Sequence, residues 1–370
     1  MKRIAKLLLV LFAAAFVASC SSSKEFILHV EKHEHFTQPL APPVDYEKIT
    51  NVDDIGYRVG LNFFDKKAFI GNLYGEIYEI DAQTGSKKLI AEIDQPIESN
   101  IAFDGENIYV GSNRGILFKI SSNGRIIAKK SFGFPVMRVY YVKGKLYVGT
   151  ENDIIYCLNP ADLSIEWKFL HGEFNMLDIR GISGMLFGMD GIYVGFDDGS
   201  VDKISYKGDL VWEVQASKGT MFIDCDSTPV KNDQAVYIAS TRGYIEAVNP
   251  DEGNVLWKRK LSTYANLQLN IFGVYVADEN GYIYCLDNSN GETIWKKRIT
   301  AKGNIFAIKL VGKVLYAITD QGRLVALDNL RGDVLDIVDI DDDISSPFAL
   351  CCNRLFVVSR DGSIYSIFSR

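Results

Sequence analysis

Cys351 and Cys352 are adjacent, and neighbouring thiols are the first residues to test for redox chemistry because they could cycle to a disulfide. They follow the apolar run 348–350 on what reads as an inner strand, where burial keeps a thiol protonated and inert. Asp339, Asp341 and Asp343 alternate like the opening of a calcium loop. The sixth position is Ile344 rather than Gly and the twelfth is Leu350 rather than Glu, so the loop can neither turn sharply nor close with a bidentate carboxylate. It reads as a solvated acidic loop. His29, His33 and His35 could catch a stray zinc or copper ion, but no cysteine or second cluster is near to complete a site. His171 stands alone, no G-x-S-x-G motif supplies a nucleophile, and there is no P-loop. No catalytic residue, metal site or cofactor is assigned.

The elements carrying these residues follow from an internal repeat. Gly75, Gly115, Asp153, Gly199, Gly243, Gly281, Gly322 and Gly362 recur at roughly 40-residue intervals, the period of a propeller blade. Six residues before each mark stands an aromatic: Phe69, Tyr109, Tyr147, Tyr193, Tyr237, Tyr275, Tyr316 and Phe356. Five residues after each stands an aliphatic, from Ile80 and Ile120 to Leu327 and Ile367. Two apolar strands about a turn that favours positive φ make a hairpin, and their near-continuous apolar runs require cover on both faces. A third strand follows a second turn, at Gly85, Gly124, Gly208, Gly253, Gly291 and Gly332, and in four repeats carries a tryptophan: Trp167, Trp212, Trp257 or Trp295. A further strand precedes each aromatic one, for example at 227–230 and 346–350. The spacing therefore predicts an all-β chain: an eight-bladed β-propeller of four-stranded antiparallel blades. The last repeat ends eight residues past Gly362, without its outer strand. One of two N-terminal segments, 26–30 or 46–50, is expected to complete it and close the ring. Residues 37–44, with Pro39, Pro42 and Pro43, read as an extended spacer.

The first residues are a different material. Lys2, Arg3 and Lys6 precede an apolar run at 7–17 that is too short to span a bilayer, the pattern of an export signal. Its ending, Val17-Ala18-Ser19-Cys20, resembles the lipobox of bacterial lipoproteins, in which the cysteine is acylated and becomes the mature N-terminus. Ser21 resembles the sorting pattern for the outer membrane. The expected organisation is a signal peptide over 1–19, a lipidated tether and ring-closing strand over 20–50, and the propeller over 51–370. The formal charge of −7, more negative still without the signal, argues against nucleic acid as a partner. Of the remaining cysteines, Cys157 and Cys285 share one repeat position and read as small buried hydrophobes rather than a disulfide framework.

The segments 249–258 and 287–296, each with Gly and then Trp-Lys, resemble the PQQ-type repeat of quinoprotein dehydrogenases, whose tryptophans dock neighbouring blades. A closer resemblance is to the BamB family, propeller lipoproteins of the outer-membrane β-barrel assembly machine. It is carried by Leu177-Asp178-Ile179-Arg180-Gly181-Ile182-Ser183, by Asp224-Cys225-Asp226-Ser227-Thr228-Pro229-Val230, and by Arg360-Asp361-Gly362-Ser363-Ile364-Tyr365. The second of these stretches continues through Gly243 and Trp257-Lys258-Arg259, and the third runs on through Ser366 to Ile367. Trp is missing from blades one, two and seven. The resemblance implies a non-catalytic scaffold, lipid-anchored at Cys20 and facing the periplasm, that binds the periplasmic domains of BamA and presents its surface, by strand addition, to unfolded barrel proteins. The resemblance implies contact through Leu177, Ile179, Arg180, Asp224 and Asp226. The two longest repeat intervals, Asp153 to Gly199 and Gly199 to Gly243, contain those residues. Two other readings stand beside it: a propeller lipoprotein with a different periplasmic partner, and a quinoprotein dehydrogenase, for which the chain is short and matches no calcium-ligand pattern.

Overall fold

The computed structural model describes residues 40–370 apart from 57–58, 173–180, 217–226, 242 and 302. These form 32 strands in eight four-stranded antiparallel sheets. Among them there is no helix, and so none long and apolar enough to cross a membrane. Blade three shows the plan: Val136–Val142, Lys145–Thr150, Ile154–Leu158 and Ile165–Leu170 lie side by side in chain order. The β-propeller expected from the repeat is the fold observed.

The repeat marks are turns between the second and third strands. Seven of them take φ between +60° and +88°, Asp153 included, which explains the near-exclusive glycine there. The eight aromatics six residues earlier are all buried, and so are the eight aliphatics after the marks.

Rows of side chains cross each blade. In blades three, five and six the row is tyrosine, a small residue and tryptophan: Tyr147, Cys157, Trp167; Tyr237, Ala247, Trp257; Tyr275, Cys285, Trp295. Cys157 and Cys285 are small because two large rings flank them, and burial pushes both thiols up to about 11. Each indole N–H donates to a carbonyl of the next blade: Trp167 to Tyr206, Trp212 to Pro250, Trp257 to Asn288 and Trp295 to Asn329, at 2.9–3.1 Å. Where tryptophan is missing, other groups bridge the seam. In blade two the Lys119 ammonium donates to Pro160 O at 2.8 Å, and in blade seven the Asp336 carboxylate accepts from Val44 N at 2.7 Å.

That last contact belongs to ring closure. Val44–Asn51 pairs antiparallel with Ser363–Ser369 and completes blade eight, so of the two candidate segments 46–50 is the closing one. The spacer expected over 37–44 needs correction: Leu40 and Val44 are buried against Tyr316 and Phe348, so from Leu40 the chain is already part of the core. The innermost strands are also shorter than expected, Val230–Lys231 and Ala349–Cys351. Pro229 and Pro347 cannot donate to a ladder. In blade eight the Ser346 hydroxyl, rather than a backbone carbonyl, accepts from Val358 N at 2.7 Å.

Candidate functional site

Cys20, Leu177, Ile179, Arg180, Asp224 and Asp226 lie outside the described residues, as do His29, His33 and His35. The residues that flank the two long connections are described, and they meet. Past the first connection, Ile182 bridges to Phe196, and the Ser183 hydroxyl accepts from Gly195 N at 2.9 Å. Past the second, Thr228 N donates to Asn266 Oδ1 and Leu267 N donates to the Ser227 hydroxyl. Gly184 packs so tightly on Thr228 that a Cβ at Gly184 would collide with the Thr228 hydroxyl. The chain therefore enters blades four and five at touching points.

Between blades three and four lies a polar cluster that sequence reasoning missed. His171, read as standing alone, is buried and stacks on Phe196 with ring centroids 3.9 Å apart. Its Nδ1 lies 2.7 Å from Asp202 Oδ2, while Nε2 lies 3.1 Å from Asp198 Oδ2 and 3.0 Å from the Ser200 hydroxyl. Burial alone would pull the imidazole pKa down; the hydrogen bonds and charges of Asp198 and Asp202 outweigh it and push it up to about 10. Burial acts on Asp198 in the opposite sense, but bonds from His171 and Ser200 hold its carboxyl down at about 2. Burial pushes Asp202 up from its ordinary value.

Asp202, His171 and Ser200 have the connectivity of an acyl-transfer triad, but not its chemistry. A general base must have a free lone pair, and this imidazole is protonated at neutral pH. The Ser200 hydroxyl is fully buried and donates to Asp198. The cluster is suited to holding the blade seam together.

The clue lay in the repeat columns. Three residues after the marks stand Tyr78, Phe118, Tyr156, Tyr284, Val325 and Tyr365, but blades four and five carry Asp202 and Glu246 there. Both carboxylates are fully buried. Burial pushes Glu246 up, against the pull of its ion pair with Lys258. The partner column, just past each outer strand, holds Ile93, Phe132, Ile299 and Ile340 where His171 stands in blade three. Thus the two blades reached by the long connections are those in which a buried acid stands in this column.

On the opposite face, Asp190 Oδ2 accepts from Tyr193 (2.6 Å), Lys203 (2.9 Å) and Lys231 (3.3 Å), a second ionic staple of blades four and five. Cys351 ends its strand and Cys352 lies in the following turn with φ +54°, half-buried, not within the strand as expected. Their Sγ atoms are 2.7 Å apart.

The family described as outer membrane protein assembly factor BamB matches residues 55–297. The assembly factor BamB of Yersinia pestis is 25% identical over 206 residues, covering 53% of this chain and 52% of that protein. The alignment thus spans about half the length of that relative. Among solved structures, BamB from Moraxella catarrhalis superposes with a TM-score of 0.72 at 16% identity, over 88% of this chain and 98% of that one. The quinohemoprotein alcohol dehydrogenase of Comamonas testosteroni reaches 0.67 at 11% identity, over 90% of this chain and 76% of that one. At such identities the two superpositions establish the propeller fold alone. The match over 55–297 covers most of the repeats, among them both blades that carry a buried acid, and by it the chain belongs to the BamB family of outer membrane protein assembly factors.

Proposed function

We propose that this propeller is a non-catalytic scaffold of the outer-membrane β-barrel assembly machine, anchored through acylated Cys20 and facing the periplasm. It binds the periplasmic domains of BamA through the connections into blades four and five and helps present unfolded barrel proteins for insertion. In this reading Leu177 and Ile179 are apolar anchors, and Arg180 pairs with Asp224 or Asp226 across the seam. The observation that carries it is the contact of Gly184 with Thr228, which brings together the ends of the two longest connections. A partner can then grip both at once. Buried acids, Asp202 and Glu246, stand in the same two blades.

The test is co-purification from gently solubilised membranes, with Arg180→Glu beside the unaltered chain. Recovery of the BamA-type barrel protein with the unaltered chain and its loss with the variant is the expected result. Recovery with both would discard this interface while keeping the scaffold role. If the barrel protein never appears, a different periplasmic partner must be sought.

A further inference from the structure

We propose that His171, Asp202 and Glu213 form a binding site for a divalent late first-row cation of the zinc type. One ligand atom from each lies within 4.8 Å of the other two. Asp202 and Glu213 face one another across neighbouring strands of blade four, and His171 reaches them from the end of blade three. An imidazole nitrogen with two carboxylate oxygens is a donor set for such an ion, with a fourth position left to water.

Three observations separate this from a simple ion pair. Asp202 is fully buried, yet its Oδ1 has no hydrogen-bond partner, an uncompensated acceptor that a cation would satisfy. The imidazole is also oriented as in metal sites: Nδ1 faces Asp202, while Nε2 faces Asp198, the outer carboxylate that would orient a ligating histidine. Finally, the fold does not need a polar group here, because one blade earlier the equivalent contact is Phe132 against Tyr156. Binding displaces the proton from Nδ1, which leaves to solvent, and Nε2–H then donates to Asp198. The inference stands independently of the partner reading.

The test is calorimetric titration with Zn²⁺ of the full chain carrying His29→Gln, His33→Gln and His35→Gln, which leaves His171 as its one histidine. Co²⁺ absorbance gives a second readout. One ion per chain is expected, with binding lost in His171→Gln. Asp198→Asn should weaken it about ten- to hundredfold, as for an outer-shell partner. Glu213 is exposed, so Glu213→Gln leaves the fold intact and must also weaken binding. No Zn²⁺ uptake by the parent, or uptake that Glu213→Gln and Asp198→Asn both leave unchanged, would overturn the site.

Discussion

An imidazole buried between two carboxylates stabilises the fold only while it carries its proton. Burial opposes that charge, but Asp198 and Asp202 raise the His171 pKa from 6.5 to about 10. A group raised on folding contributes fully below its unfolded pKa, where both states are protonated, and its contribution is lost as pH climbs through the folded value. In chelator, the urea midpoint should therefore fall between pH 6.5 and about 10. His171→Ala alone leaves a buried unpaired acid and should cost about 3–5 kcal/mol at neutral pH. His171→Phe with Asp202→Tyr copies the Phe132–Tyr156 contact and should recover most of that loss while flattening the pH slope. A double variant as unstable as the single, with the same slope, would show that the pair does not act as an isolated unit. None of this was legible around His171 itself, because its partners are 27–31 residues away on the next blade. It was legible only by aligning repeats and asking which column breaks its apolar rule.

Between elements, the glycines that follow the third strand in six of the blades do more than turn the chain. Gly291, at φ +72°, lies under the Trp257 indole, and a Cβ there would come within 2.5 Å of the ring. Gly144, at φ +76°, has nothing within 4 Å of the same position. Alanine at either site incurs the left-handed penalty of about 1 kcal/mol. Alanine at Gly291 must also lift the indole from Asn288 O, so it should cost roughly 1–3 kcal/mol more than Gly144→Ala in denaturant unfolding. Equal costs would mean that the indole yields freely and the seam is looser than its geometry. This order of structure was readable in advance, because the blade rows rest on local spacing: an aromatic six residues before a turn and an aliphatic five after it. The strand starts were not readable. Ser346 takes over a ladder bond with its side chain, and a serine in sequence does not announce which neighbour's N–H it will meet.

At the scale of the whole molecule, the last blade is assembled from both ends of the propeller, so its stability cannot be local. Leu40 is 2% exposed and belongs to the same core as Ile318, Leu355 and Ile367. Its carbonyl accepts from the Tyr316 hydroxyl, as Asn329 O accepts from Tyr275 one blade earlier. The N-terminal segment thus takes the place in blade eight that the turn at Asn329 holds in blade seven. Arg370 N donates to Pro43 O, tying the C-terminal residue to the same segment. A closed ring spreads the loss of one contact over every seam, whereas a frayed end would lose only its own. Leu40→Ala should therefore lower global stability by about 2–5 kcal/mol, as a core truncation does. The four tryptophans provide the readout, because Trp167, Trp212, Trp257 and Trp295 lie in blades three to six, away from the closing strand. If their fluorescence midpoint in urea shifts with Leu40→Ala, closure is holding the ring as one cooperative unit. If it stays in place while the N-terminal strand exchanges its amide protons faster, blade eight opens on its own, and seams three to six are stable without it.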